Sequence, residues 1–218
     1  MVSGLAVLGL LAGAYLLGSI PTGFLLGKWL KGIDIRQYGS GSTGATNVLR
    51  ILGKKAAIGV LLIDLVKGVL SVLLVRAFFS VMIAISGLEP TSTWQSWIEP
   101  LAGLMALIGH SRSIWINFTG GKSAASGLGV VLALAWPVGL GAMGVFALVL
   151  ASTRIVSLGS IFAALSVVGL MVITGQPLPY LLFAVAGSSY VILRHRANIQ
   201  RLVAGQEPRI GQTSPEPR

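Results

Sequence analysis

The sequence predicts an all-α, polytopic membrane protein with seven transmembrane helices. Of its 218 residues, 54% are hydrophobic and 10% are charged, whereas soluble domains carry about a quarter charged residues. Uncharged stretches of bilayer-spanning length recur, among them 1–27, 128–153 and 155–193. These features exclude a soluble globular enzyme and leave no room for a separate soluble domain.

Seven spans follow from the apolar stretches and the breaks between them: 4–27, 54–86, 97–110, 122–135, 137–152, 155–173 and 178–194. The fourth and fifth are divided at Trp136-Pro137, because a proline disrupts the helix that precedes it. A mere kink there would leave six spans. The second span should be about 50 Å long, so it tilts or begins in the headgroup region of a bilayer whose core is about 30 Å thick.

Basic residues decide between these counts and set the orientation. With seven spans, the connections at 87–96, 136–137 and 174–177 contain no Lys or Arg, and the basic residues gather on the opposite side. The positive-inside rule then places the N-terminus outside and the C-terminus in the cytoplasm. Basic residues at the cytoplasmic ends of membrane spans also explain the net charge of +10. Nucleic-acid binding is not indicated, because the sequence has no basic stripe with interleaved aromatic residues.

We therefore expect a single transmembrane catalytic domain at 1–202 and a short cytoplasmic C-terminal tail at 203–218. The first residues are not expected to form a cleavable signal, because no Lys or Arg precedes Lys28. The predicted location is a membrane that the chain crosses several times.

Four polar segments interrupt the apolar sequence, and this topology puts all four on the cytoplasmic side. The first, GSGSTGATNVLR at 39–50, offers backbone N–H groups and hydroxyls that can surround an anion. Asn47 and Arg50 are three residues apart and share a helical face. A dinucleotide fold is excluded because no strand precedes the glycines, whereas a flexible loop between spans stays an open alternative.

The second segment, GGKS at 120–123, resembles the end of a phosphate-binding P-loop. ATP hydrolysis is not expected, because Ile116 stands where that motif requires its first glycine. A glycine turn followed by Lys122 at a helix start nevertheless favours phosphate. The alternative is an ordinary basic membrane flank.

The remaining two segments pair polar residues three apart. Arg154 and Ser157 stand at one helix start, and His195 and Asn198 follow the last span. Each pair could equally cap a helix. Neither histidine is followed by the aspartate of the common acyltransferase dyad, so an acyl transfer here should use an already activated donor. Two histidines and six scattered acids predict no metal site.

Ionisable residues also fall inside the second predicted span. Asp64 and Lys67 lie three apart there, and a charged group at that depth costs about 2.5–3.5 kcal/mol even on lenient scales. A structural ion pair and a direct role toward substrate are both open. The sequence indicates no partner for Arg76.

Taken in order, four segments resemble the bacterial integral-membrane acyl-phosphate:glycerol-3-phosphate acyltransferases. They are GSGSTGATNVLR, GH followed by NFTGGKSAASGLG, TRIVSLGSI and HRANIQRLVAGQEPRI, and the likeness extends over about 4–210. The resemblance implies transfer of an acyl group from acyl phosphate to the 1-hydroxyl of glycerol 3-phosphate. The products would be lysophosphatidic acid and phosphate, as in phospholipid biosynthesis, and no cofactor or metal would be needed.

The resemblance also implies roles for individual residues. The expected catalytic residues are Ser40, Arg50, Lys122, Ser157, His195 and Asn198. The expected phosphate-binding residues, including several from the glycine-rich pattern alone, are Gly41, Gly44, Thr46, Asn47, Gly120, Gly121 and Arg154. Glu207 matches a structural glutamate. Ser42, Thr43 and Ser123 depart from the usual family pattern.

Two readings from other classes use the same basic segments. A transporter or flippase for a phosphorylated solute or lipid would bind near the membrane midplane, often between inverted repeats, and no internal repeat is visible. A scaffold for anionic lipid headgroups would lose lipid association, but no turnover, on Lys122→Ala.

Overall fold

The structure is a computed structural model that describes residues 3–86 and 92–211. Its described residues form ten α-helices and two short 3-10 turns, with no β-strand, which confirms the all-α prediction. The helices are α1 Gly4–Ser19, α2 Thr22–Lys31, α3 Ala45–Leu52, α4 Lys54–Ser86, α5 Ser92–Ser111, α6 Ala124–Leu134, α7 Trp136–Thr153, α8 Val156–Ile173, α9 Leu178–Arg194 and α10 Arg196–Val203. The predicted connection at 87–96 and the predicted tail lie partly outside the described residues.

Two prolines shape the helix boundaries. Ala135 separates α6 from α7 with φ −149° and ψ 84°, and Pro137 lies in the first turn of α7, so the break predicted there is confirmed. The predicted first span, 4–27, lies within an apolar stretch long enough to cross a membrane, Gly4–Lys31, but this stretch is divided into two helices. Pro21 follows Ile20, whose ψ of 112° is extended, because a residue before proline avoids the helical conformation. The chain therefore forms α1 and α2 as separate helices.

Four stretches are long and apolar enough to cross a membrane: Gly4–Lys31, Lys54–Ile85, Trp136–Thr153 and Val156–Ile173. This supports a multi-pass membrane protein. The second of them lies within α4, whose 33 residues extend over about 50 Å. By contrast α6 has 11 residues, about 17 Å, and is too short to cross a bilayer core of about 30 Å as a straight perpendicular helix. The count of seven crossings stays a prediction.

Glycines allow the helices to approach closely. A Cβ added at Gly18 of α1 would lie 2.2 Å from the carbonyl oxygen of Ala106 in α5. Similarly, a Cβ at Gly129 of α6 would lie 2.0 Å from the oxygen of Leu65 in α4. Such small-residue contacts are a usual means of packing helices where no water drives association. They bring α1 against α5, and α6 against the middle of α4.

A buried carboxylate gives Arg76 its partner. The Arg76 guanidinium donates to both oxygens of Glu99, at 3.1 and 3.0 Å, and the Tyr180 hydroxyl donates to the same carboxylate at 2.8 Å. The pairing joins α4, α5 and α9 and explains how an arginine inside a membrane helix is accommodated.

Candidate active site

A cavity of about 420 Å³ lies among helices α3 to α10. Its polar end is lined by residues from all four predicted segments: Ser40, Gly44, Thr46, Asn47, Arg50, Lys122, Ser157, His195, Asn198 and Glu207. The structure thus brings together side chains as far apart in sequence as residues 40 and 207. Four predicted site residues, Gly41, Gly120, Gly121 and Arg154, do not line it.

Asn47 organises the first loop from within. Its buried amide nitrogen donates to the carbonyl oxygens of Ile35, Tyr38 and Ser42 at 2.9–3.2 Å. Its amide oxygen accepts the Ser40 N–H at 2.9 Å. The side chain therefore uses its hydrogen bonds to fold the loop and to hold Ser40 at the rim of the cavity.

Arg50 projects from α3 into the cavity without a fixed partner. Gly44 caps the start of α3, and Gly41 adopts a φ of +68° in the turn before it. Arg50 is half-buried, and within residues 3–86 and 92–211 it forms no hydrogen bond or ion pair. Burial lowers the pKa of Arg50, but a guanidinium remains charged at neutral pH. An unpaired cation therefore faces the cavity.

Gly120 and Gly121 lie behind the cavity, against the end of α5. The Gly121 N–H donates to the His110 carbonyl at 3.1 Å. A Cβ at Gly121 would lie 2.0 Å from His110 Nε2, and one at Gly120 would lie 2.2 Å from the His110 oxygen. Only glycine permits this approach, and the next residue, Lys122, then enters the cavity.

Lys122 is held by a buried network centred on Glu207. Its Nζ donates to Asn198 Oδ1 at 2.7 Å, and the Asn198 amide donates to Glu207 Oε1 at 2.5 Å. Ser157 donates to the same carboxylate oxygen, and Arg201 to the other, both at 2.7 Å. The Glu207 carboxylate thus connects Ser157 of the third predicted segment and Asn198 of the fourth with Lys122 of the second.

The network fixes the charges of its members. Burial alone would raise the pKa of Glu207, but hydrogen bonds from Asn198, Ser157 and Arg201 outweigh it and lower that pKa, so Glu207 is ionised. Burial lowers the pKa of Lys122 to about 8, against the attraction of Glu207. Lys122 is therefore mostly cationic at neutral pH.

His195 faces the cavity as a neutral hydrogen-bond acceptor. Its Nδ1 lies 2.7 Å from the carbonyl oxygen of Val191, and a carbonyl can only accept, so Nδ1 carries the proton and Nε2 a lone pair. Burial lowers the pKa of His195 to about 4, which keeps the ring uncharged at neutral pH.

Arg154 lies away from the cavity. Its side chain is exposed, its φ is +61° at the end of α7, and its carbonyl accepts the Ile210 N–H at 2.8 Å. This backbone hydrogen bond therefore holds the segment that carries Glu207. No pattern of side chains in the sequence could have indicated it.

Arg36 is a residue that the sequence pattern did not single out. It donates to the Ile116 carbonyl and to Thr119 Oγ1, both at 2.9 Å, and pairs with Asp34 at 2.6 Å. The hydrogen bond from Arg36 lowers the pKa of Asp34. Arg36 thereby joins the loop before α3 to the loop before α6. In the sequence, Arg36 is one basic residue among several, and nothing in its surroundings distinguishes it from the others.

Beyond its polar end, the cavity continues between apolar helix faces. Leu62 of α4 and Met143 of α7 line it and are 55% and 43% exposed, whereas Val167 and Phe183 line it and are 7% and 3% exposed. The apolar arm is thus open at the protein surface on one side and ends on buried residues. Along α8 its lining residues run from Val156 to Val167, a distance of about 17 Å.

The chain is similar in sequence to a family of known proteins. Residues 8–205 match the sequence model of the family described as glycerol-3-phosphate acyltransferase. The chain belongs to that family. Curated glycerol-3-phosphate acyltransferases from Trichodesmium erythraeum and Trichormus variabilis are 56% and 57% identical to it, over 91% of this chain and 90% and 89% of theirs. The family expected from the sequence is confirmed.

Solved glycerol-3-phosphate acyltransferases share the fold. The crystal structure of PlsY (YgiH), an integral membrane glycerol 3-phosphate acyltransferase, is similar in its glycerol 3-phosphate form, with a TM-score of 0.83 and 38% identity. Its lysophosphatidic acid form gives 0.80 and 37%. Each comparison covers 94% of this chain and 96% of the other. The present chain is accordingly an integral membrane glycerol-3-phosphate acyltransferase.

Proposed function

We propose that this acyltransferase uses acyl phosphate to acylate the 1-hydroxyl of glycerol 3-phosphate, giving lysophosphatidic acid (1-acyl-sn-glycerol 3-phosphate) and phosphate. The observation that carries the proposal is one cavity with two cations, Arg50 and Lys122, at its polar end and an apolar arm behind them. Two phosphates and one acyl chain are the groups that such a cavity fits. The relative crystallised with lysophosphatidic acid supports the product.

Each substrate is given its own part of the cavity. Glycerol 3-phosphate places its phosphate near Lys122 and the loop that follows Gly121. The donor places its phosphate near Arg50 and Ser40, and its acyl chain lies in the apolar arm. Cations and oriented donors in a site with little water stabilise phosphate charge far more than they do in water.

The chemistry is a direct transfer. The glycerol hydroxyl oxygen forms a bond to the acyl carbon, the bond from that carbon to the phosphate oxygen breaks, and phosphate leaves with the electron pair. The hydroxyl proton passes to a substrate phosphate. His195 Nε2 accepts a hydrogen bond from the hydroxyl and orients it, while Ser40, Ser157, Asn198 and the two cations position the charged groups.

The histidine geometry favours an activated donor. His195 Nδ1 donates its hydrogen bond to a backbone carbonyl rather than to a carboxylate, and its pKa of about 4 makes His195 a weak base. A mixed anhydride, such as acyl phosphate, needs less help from a base than a thioester does. Positioning and charge neutralisation then supply most of the acceleration.

The decisive assay compares acyl phosphate, acyl-CoA and acyl-carrier-protein donors on the purified protein. Turnover with acyl phosphate alone is expected, and Ser40→Ala should reduce it strongly. Turnover only with a thioester donor would refute the donor assignment.

The membrane arrangement belongs to the same proposal. We place the cavity mouth on the cytoplasmic side of the bacterial cytoplasmic membrane, with seven crossings, the N-terminus outside and 1–202 as the catalytic domain. The clustering of basic side chains at that end supports it. Because the sequence has no cysteine, single substitutions report accessibility cleanly: Gln37→Cys and Asn117→Cys should react with an impermeant thiol reagent from the cytoplasm, and Thr174→Cys from outside.

A further inference from the structure

A buried polar cluster lies against the cavity beside the glycine loop. Asp64 and His110 line the cavity and are 2% and 7% exposed. Asp64 Oδ1 receives Lys67 Nζ at 2.9 Å and the Thr22 hydroxyl at 3.2 Å, and Lys67 also donates to the Ile20 carbonyl at 2.9 Å. The cluster therefore ties the break between α1 and α2 to the middle of α4.

His110 stands between this cluster and the glycine loop. Its Nδ1 faces Asp64 Oδ1 at 3.5 Å and, among the described residues, is buried without a hydrogen bond. Its Nε2 faces Gly121, where an added Cβ would lie 2.0 Å away. The Nε2 edge of the His110 ring therefore packs against the Gly121 backbone, beside the cavity that His110 lines.

The loop is held at Gly121 from two sides. Its N–H bonds to the His110 carbonyl at 3.1 Å, and its carbonyl accepts from Arg194 Nη2 at 3.2 Å. Lys122 is the next residue in the sequence, and its Nζ donates to Asn198 Oδ1 at 2.7 Å. A displacement of the His110 ring therefore moves the peptide that sets where Lys122 lies.

Stability alone does not explain a charged cluster at this depth. Replacing a buried ion pair with apolar residues of similar volume is often neutral or stabilising, so apolar side chains would join α4 to α5 at less cost. What apolar residues cannot supply is a carboxylate charge facing Nδ1, at 3.5 Å here, which favours the ring orientation that turns this nitrogen toward Asp64.

We infer that the Asp64–Lys67 pair orients His110, and that His110 is a positioning residue that sets where Gly121 and Lys122 meet the substrate phosphate. The inference rests on the proposed function, because it assigns that phosphate to glycerol 3-phosphate. In this role His110 acts on the substrate through Gly121 and Lys122.

The experiment measures kcat and KM for glycerol 3-phosphate in wild type, His110→Phe, Asp64→Asn and the double variant. His110→Phe keeps a ring against Gly121 but loses the polar contact. We expect its KM to rise roughly 10- to 100-fold, as for a small misplacement of a binding group, with a smaller change in kcat. The KM of the double variant should be no higher than that of His110→Phe, because Asp64 acts on the glycine loop through His110, whereas its contacts with Lys67 and Thr22 bear on stability.

Three further variants keep the test independent of folding. Ser71→Ala removes a buried hydroxyl of α4 whose hydrogen bond, among the described residues, is made within its own helix, to Gly68 at 2.7 Å, and should leave both constants unchanged. Gly121→Ala should show the same KM rise as His110→Phe. His110→Ala should partly rescue Gly121→Ala, because removing the ring makes room for the new methyl group.

The outcomes separate the two proposals. Wild type that turns over no acyl phosphate contradicts the proposed function. An active wild type with an unchanged KM in folded His110→Phe, fully additive effects of Asp64→Asn and His110→Phe, or no rescue of Gly121→Ala contradicts the positioning role.

Discussion

The two cations that line the cavity are held in opposite ways. Lys122 donates to Asn198 at 2.7 Å and is fixed, through that amide, to the carboxylate of Glu207. Arg50 lies across the cavity on a helix of eight residues, and no hydrogen bond or ion pair holds it among the residues that the structure describes. Lys122 is therefore positioned before substrate binds, whereas the Arg50 side chain can move with the substrate.

The difference suggests a division of labour. A pre-positioned cation suits a small substrate that must be oriented for attack, since little side-chain freedom is lost on binding. An unpaired cation suits a leaving phosphate, whose charge grows as its bond to the acyl carbon breaks. The predictions below test whether the two sides of the cavity really differ in this manner.

The largest effects are expected from removing either cation. Arg50→Ala and Lys122→Ala should each lower kcat/KM by about 10²–10³-fold, the usual loss when one stabilising donor is removed. Steady-state kinetics measure it, with Lys28→Ala as the matched control, because Lys28 is exposed and outside the cavity. Near-normal turnover in either cavity variant would show that the corresponding cation does not touch a phosphate.

A smaller loss is expected from Glu207→Gln, which keeps the shape of the side chain but removes its charge. The network around Lys122 weakens, so kcat/KM should fall roughly tenfold to a hundredfold and the melting temperature should fall with it. Combined with Lys122→Ala the effect should be well below additive, because Asn198 links Lys122 to Glu207 by hydrogen bonds. Combined with Arg50→Ala it should be closer to additive, because Arg50 interacts with Glu207 through its charge and, among the described residues, forms no hydrogen bond to it. Equal coupling to both cations would abolish the distinction between the two sides.

The pH profile should report Lys122 and not Arg50. Because the cation is the binding form and the pKa of Lys122 is about 8, kcat/KM should be maintained below that pH and decline as pH rises through it. Lys122→Arg should lose this alkaline limb, since a guanidinium does not titrate there. An unchanged limb in that variant would assign the titration to another group.

The smallest effect is expected at the far end of the apolar arm. Ala184 lines the cavity and is 1% exposed, so Ala184→Leu shortens the space for an acyl chain. The ratio of kcat/KM for palmitoyl over decanoyl phosphate should fall about tenfold, while KM for glycerol 3-phosphate should not change. A uniform loss with both donors would place the chain elsewhere.

Local signals predicted much of the helical framework. Pro137 marked the break after α6, and the bounds of α4 agree with the predicted 54–86. Pro21 carried the same signal, but the apolar run around it hid the break between α1 and α2. In each case the physics is local, since proline restricts the backbone of the residue before it.

The contacts that organise the site depend on tertiary structure. The motifs placed Lys122, Ser157 and Asn198 on one face of the membrane, but their meeting at Glu207 depends on how the C-terminal segment returns over α8. Asn47 was expected to bind phosphate, and the structure instead shows its amide folding the loop. Residue spacing cannot distinguish these uses of an amide, because both need the same donor.

The most direct test is a two-substrate kinetic pattern, because the account requires donor and acceptor to occupy the cavity together. Initial rates should be measured while glycerol 3-phosphate and acyl phosphate are varied against each other. Direct attack of the hydroxyl on the acyl carbon predicts intersecting double-reciprocal lines and no acylated protein. Parallel lines, with an acyl group trapped on a side chain such as Ser40, would indicate a covalent intermediate and would contradict the account.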